Sequence, residues 1–270
     1  MGLGLSLQVA QAAGPDCTAD EQSCQFTRMQ FLDQTDSAID PEHDDWLPNG
    51  KSMLCGPTTA VMVIDAALEH AQELKPRVTG WTATQYLPHD WIGRVKAMAR
   101  KLLTSPKDGT WVPLNFPFAE IGRHIFVNDR EAGKAIGEIV WPNARNETFI
   151  KNIRWGYVPS MAYGHYEKQV ARILGQEIIT FGRQGGHIVA VQGFTHFHGK
   201  PILAINNPHG ARRDWRTTEP MSSGIRWRGW FKSTITIVPH IFGTGHTLYR
   251  EGNQFKFIDG YYGLGILPAR

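Results

Sequence analysis

A cysteine at Cys55, a histidine at His187 and the amide pair Asn206-Asn207 are the residues of this chain best suited to nucleophilic chemistry. Cys55 stands in "KSMLCGPTTAVMVIDAAL", followed by Gly-Pro and a long apolar run. There it occupies the first turn of a helix, where unpaired backbone N–H groups and the positive end of the macrodipole favour a thiolate. Pro57 suits that turn because its missing N–H has no helical partner to lose, and Gly56 lets another group approach the sulfur. His187 heads an apolar strand in "GGHIVAVQGF", and after a hairpin turn a second strand, "KPILAINN", ends at Asn206-Asn207-Pro208. Adjacent strands set such side chains side by side. A thiol, an imidazole that takes its proton and an amide that holds the ring form the arrangement of a cysteine hydrolase. The expected catalytic set is Cys55, His187 and Asn207, with Asn206 as a competing amide; for the cysteine taken alone, a buried structural thiol is the alternative.

Together, "CGPTTAVMVIDAAL" and "GGHIVAVQGF…ILAINNP" resemble the papain-like cysteine peptidases, most closely the bacterial branch that includes the bacteriocin-processing (double-glycine) peptidases; the likeness runs from Asn49 to Pro208. It implies a papain-like α+β fold, hydrolysis of peptide bonds through a thioester and a protein or peptide substrate; nothing among the residues signals a cofactor, so none is expected. In that branch a Gln precedes Cys-Gly-Pro, a Gly-His opens a strand and an Asp-Pro closes the next. Here Asn49 stands six residues before Cys55. The resemblance gives it the oxyanion role, its amide acting with the backbone N–H of Cys55, while a turn role in Pro-Asn-Gly is the other reading. Asn207 stands where the bacterial relatives carry Asp, although papain itself uses Asn there. A neutral amide stabilises an imidazolium less than a carboxylate does, which leaves more to the helix dipole.

The elements that must hold these residues are legible from periodicity. Ala60, Val61, Ile64, Ala67, Leu68 and Ala71 recur at helical steps, which predicts a helix from Cys55 to before Pro76, buried on one face. A second amphipathic pattern covers 89–103, and "ARNETFIKNIRWG" predicts a short third helix. From Tyr157 onward, "YVPSMAYGHY", "HIVAVQGF", "KPILAINN", "STITIVPHI", "GHTLYREG" and "QFKFID" read as strands. The expected organisation is α+β, with the nucleophile helix packed on a C-terminal antiparallel sheet. Its boundaries are a hydrolase domain over 46–270, a helical lobe over about 46–156 and a β lobe over about 157–270. Residues 14–45, acidic and polar in "DQTDSAIDPEHDD", read as an N-terminal arm, and an inhibitory arm covering the cleft is one use for it.

Composition narrows the partners. The hydrophobic share of 41%, the charged share of 20% and the formal charge of +3 are those of a globular protein without a pronounced pull toward nucleic acid, and no stretch has the apolar length of an integral membrane segment. The start, "MGLGLSLQVAQAAGPDC", resembles the end of a secretory signal, so residues 1–13 read as a signal-peptide remnant and the protein as secreted or periplasmic. Of three cysteines, Cys17 and Cys24 lie close together and suit a short disulfide, with unpaired thiols as the alternative; either way Cys55 is left over.

Other groups have competing readings. His196, His198 and His209 lack a Cys or carboxylate at metal spacing, so no metal site is expected. "HGARRDWR" and "RWRGWF" interleave cations with Trp, either lining a substrate groove, a glycan surface or a membrane interface, or alternating outward and inward on strands. No Gly-x-Ser-x-Gly elbow and no phosphate-binding loop occurs. An acyl transferase or deamidase on the same acyl-enzyme chemistry, and a non-catalytic module binding a cell-wall or protein partner, are the rival functions.

Overall fold

A 22-residue strand, β5 (Gln176–Phe197), organises the molecule. The computed structural model describes residues 15–36, 38–39, 53–74, 90–107, 109–110, 135–140, 146–209, 211–216, 218–221, 224–227, 234–238, 246–251 and 254–266. Along one edge, β5 forms an antiparallel hairpin with β4 (Val158–Ile173), from Ser160 opposite Ala190 to Ile173 opposite Gln176. Farther along the same edge β2 (Cys24–Gln25) takes over, with Cys24 opposite Phe194, and β2 pairs with β1 (Asp16–Cys17). On the other edge lies β6 (Lys200–Asn207), from Phe197 opposite Lys200 to Ala190 opposite Asn206. Near the hairpin tip that edge is met in parallel by β10 (Thr234–Val238), at Glu177, Ile178 and Ile179.

The sheet continues beyond this centre. β12 (Gln254–Ile266) pairs with β4, and with β3 (Ala135–Val140) and β11 (His246–Glu251). β7 (Ala211–Arg216) pairs with β6, β8 (Thr218–Met221) with β11, and β9 (Gly224–Trp227) with β10. The described fold is α+β, a sheet antiparallel at every pairing but that of β10 with β5, joined by three described helices. These are α1 (Cys55–Leu74), α2 (Trp91–Lys101) and α3 (Asn146–Arg154).

α1 is more central than its spacing predicts. Every residue from 56 to 64 is buried, so its first half is surrounded by protein rather than covered on one face. The small and β-branched residues in that half, Ala60, Val61 and Val63 among them, allow such close surroundings. α2 begins where Asp90 caps it, its carboxylate accepting from the Gly93 N–H at 2.6 Å. Its Arg94 forms a two-pronged ion pair with Asp65 of α1, at 2.7 and 2.8 Å, which fastens the two helices together.

Strands from outside 157–270 join the sheet: β3 pairs with β12, and β1 and β2 extend the ladder of β5. The N-terminal segment is anchored in the molecule: Phe26, Met29, Leu32 and Ile39 are buried in the main core. These few apolar residues are spread through a largely polar segment, which hides their anchoring role. Among the described residues, no helix is long and apolar enough to cross a membrane.

Candidate active site

The site forms where β6 stops and α1 begins. Ala190 is the last residue of β5 paired with β6, so two residues on, the edge groups of Ile188 face α1 instead. Thr59 donates its hydroxyl to the Ile188 carbonyl at 3.0 Å. One helical turn earlier, the sulfur of Cys55 is approached by the Ile188 backbone N–H, and by the N–H groups of Cys55 and Gly56. Positions i and i+4 of a helix share a face, so both ends of one peptide residue, the neighbour of His187, are held by that face. The helix itself starts with the Thr58 N–H donating to the Leu54 carbonyl at 2.9 Å.

His187 lies at the border between the buried run 188–194 and the half-exposed residues before it. Its Nε2 is 2.7 Å from Oδ1 of Asn207, the last residue of β6. The same Oδ1 accepts the backbone N–H of His209 at 3.0 Å. A backbone N–H is always a donor, which fixes that atom as the amide oxygen and makes Nε2 of His187 the protonated nitrogen of a neutral ring. Nδ1 is then the nitrogen able to take a proton. Asn207, buried to 7% exposure, makes this contact, whereas Asn206 stands opposite Ala190 within the ladder.

Tyr163, directly opposite His187 on β4, meets its ring edge-on with centroids 5.6 Å apart. The Tyr163 side chain is buried. Sequence reasoning passed over Tyr163 and the His209 N–H. The Asn-Pro-His order carried the second signal, since an Asn side chain commonly accepts a backbone N–H two residues on.

The electrostatics of Cys55 differ from the expectation drawn from its helical position. Burial of the thiol pushes its pKa above the ordinary value, and the N–H groups of Ile188, Gly56 and Cys55 pull it down without overcoming that desolvation. Cys55 is the free cysteine among the described residues and is partly exposed. Gly56 has a use other than the one expected. A Cβ there would overlap the Thr110 side chain, so the close approach comes from the 104–110 loop, where Thr104 and Thr110 share a hydroxyl hydrogen bond of 2.8 Å.

Cys17 and Cys24 are disulfide-bonded across the β1–β2 pair. Asn49, and the Trp230-Phe231 end of "RWRGWF", lie outside the described residues, as does the 1–13 segment. Of the candidate metal histidines, His196 lies in β5 with Nδ1 2.9 Å from the Gln22 carbonyl, and only His198 belongs to the hairpin turn, with φ of 49°. Among the described residues no group of three potential ligands converges. A cavity of about 580 Å³, lined by Glu21, Lys151, Arg154, Trp155 and His196 among others, opens near the C-terminal end of β5, away from His187.

No family model, curated protein or solved structure matches this chain. The functional reading therefore stands on the residues and their geometry.

Proposed function

We propose that this chain is a cysteine peptidase of papain-like arrangement, with Cys55 as nucleophile, His187 as general base and then acid, and Asn207 holding the ring. The observation that carries the reading is the Asn207 oxygen held by both His187 and the His209 N–H, since it presets the tautomer a general base needs. The Sγ–H proton of Cys55 passes to Nδ1 of His187 as sulfur bonds to the amide carbonyl carbon. His187 returns that proton to the departing amine as the C–N bond breaks, leaving a thioester. Water, losing its proton to the same imidazole, then adds to the thioester, and the thiolate leaves to give a free acid and the regenerated thiol. The raised pKa of Cys55 favours this general-base route over a preformed ion pair. The backbone N–H of Cys55 and the amide of Asn49 are assigned to the developing oxyanion. The Cys17–Cys24 disulfide supports a secreted or periplasmic setting.

A mixed peptide library, digested by the full chain and read by mass spectrometry, tests the reading. New N- and C-termini are expected with wild type and are lost in Cys55→Ser and His187→Ala. Alkylation of Cys55 by iodoacetamide at neutral pH should also slow in His187→Ala. Intact peptides together with identical alkylation profiles would overturn the peptidase. A mass gain of about one unit on uncut glutamine-containing peptides would point to deamidation instead, an amide –NH2 becoming –OH through the same thioester.

A further inference from the structure

We infer that the disulfide-closed N-terminal segment, residues 15–39, is a strut that positions Asn207 and through it His187. The inference rests on the roles given to those two residues above. Asn207 ends β6, and its orientation depends on the turn that follows. That turn is gripped from outside: the Gln34 backbone N–H donates to the Pro208 carbonyl at 2.8 Å. Gln34 is buried to 3% exposure, between buried Leu32 and Ile39, so the donor is set in the core and not on a waving arm.

The other end of the segment is tied to the same strand pair at a second point. Phe26 and Gln192 exchange two bonds, the Phe26 N–H to the Gln192 carbonyl at 2.8 Å and the Gln192 side-chain amide to the Phe26 carbonyl at 3.1 Å. Ser23 donates to the Phe194 carbonyl at 3.1 Å, and β2 lies so close to β5 that a Cβ at Gly193 would overlap the Cys24 carbonyl oxygen. From Ala204, opposite Gly193, to Pro208 is four residue steps, along the end of β6 and one residue past it, roughly 13 Å of extended chain. Residues 26–34 bridge that interval alongside the sheet.

The disulfide matters because β1 and β2 are two residues each, too short to keep their pairing unaided. The Cys17–Cys24 bond holds Cys24 in register on Phe194. Outside it, Arg154 of α3 clasps the loop through the Glu21 carbonyl at 2.7 Å. Release of this knot removes the far anchor, and the Gln34 donor then follows a looser chain.

The test is the imidazole 1H–15N spectrum of the full chain, in wild type and in the Cys17→Ser/Cys24→Ser double variant, with circular dichroism as the fold control. The His187 Nε2–H signal should be present in wild type, absent in Asn207→Ala, and exchange at least about tenfold faster in the folded double variant. An unchanged signal in a folded double variant overturns the strut. If the variant does not fold, hydrogen exchange in wild type decides: the Gln34 N–H and the His187 Nε2–H should open with matching protection, and a Gln34 N–H exchanging far faster overturns the inference. Peptide cleavage separates this from the peptidase reading. A disulfide-dependent His187 signal without cleavage sinks the peptidase alone, and cleavage with a disulfide-independent signal sinks the strut alone.

Discussion

The two halves of the β4–β5 hairpin share a ladder and little else. On the inner half, residues 158–164 and 188–194 are buried, with α1 against β5 and β12 against β4. On the outer half, Val170, Ile173 and Leu174 are 53%, 55% and 99% exposed. The change comes over a few residues, and a bulge between His165 and Tyr166 marks it. His187 sits at that frontier. A general base must be fixed by packing on one side and reachable on the other, and a ladder that passes from covered to uncovered supplies both within one residue step. Regular pairing alone therefore does not make a site; the end of the cover does.

The largest expected difference between the halves is in stability. Met161→Ala, at a fully buried inner position, should cost about 2–5 kcal/mol, and Val170→Ala on the outer half no more than about 0.5 kcal/mol, both read from urea midpoints. Equal costs would break the comparison. Next, Asn207→Ala removes a hydrogen bond to a ring that becomes charged during turnover, worth about 1.5–3 kcal/mol, so kcat/KM should fall about 10- to 150-fold. Outer-half variants should leave it unaltered. Leu174→Gly follows: Leu174 has φ of 50°, a left-handed conformation costing an L-residue about 1–2 kcal/mol, and a gain of about 1 kcal/mol is expected once the entropy of an added glycine is counted. A loss would mean that the exposed leucine has a partner.

The smallest effect is one of slope. Because burial raises the thiol pKa of Cys55, the stability associated with its protonated form is fully present below the unfolded thiol value, about 8.5, and is lost as pH rises through the higher folded value. Wild type should thus lose stability relative to Cys55→Ala in alkaline urea titrations and differ little in this respect at neutral pH. Parallel curves would mean that the sulfur is solvated.

The same frontier separates what was legible in the sequence from what was not. "HIVAVQGF" and "YVPSMAYGHY" announce strands because covered strands are apolar runs, and β6 was read at its observed bounds, Lys200–Asn207. Residues 169–175 carry no such run, since nothing at these exposed positions demands apolar residues. The tip also lacks the usual turn dipeptide: Leu174-Gly175 turns with φ of 50° and 75° where Asn-Gly is the recognisable form. The nearness of His187 and Asn207 is legible in the strand order, which puts them on neighbouring strands. The direction of the thiol shift is not, because desolvation depends on how much of α1 is surrounded, and small apolar residues do not disclose that. The anchoring of 15–39 is hidden for the opposite reason: Phe26, Met29, Leu32 and Ile39 are single buried positions spread through a largely polar segment.

One consequence of the doubly held Asn207 oxygen concerns proton counting. A carboxylate at this place would bring a second ionisation into the acid side of any rate profile, and acid would weaken the grip on the ring as well as charge it. An amide has nothing to titrate there, and the His209 N–H keeps it from turning over. The acid limb should then fall with unit slope, governed by one group, and the clasp on His187 should persist at pH values where the ring is already charged.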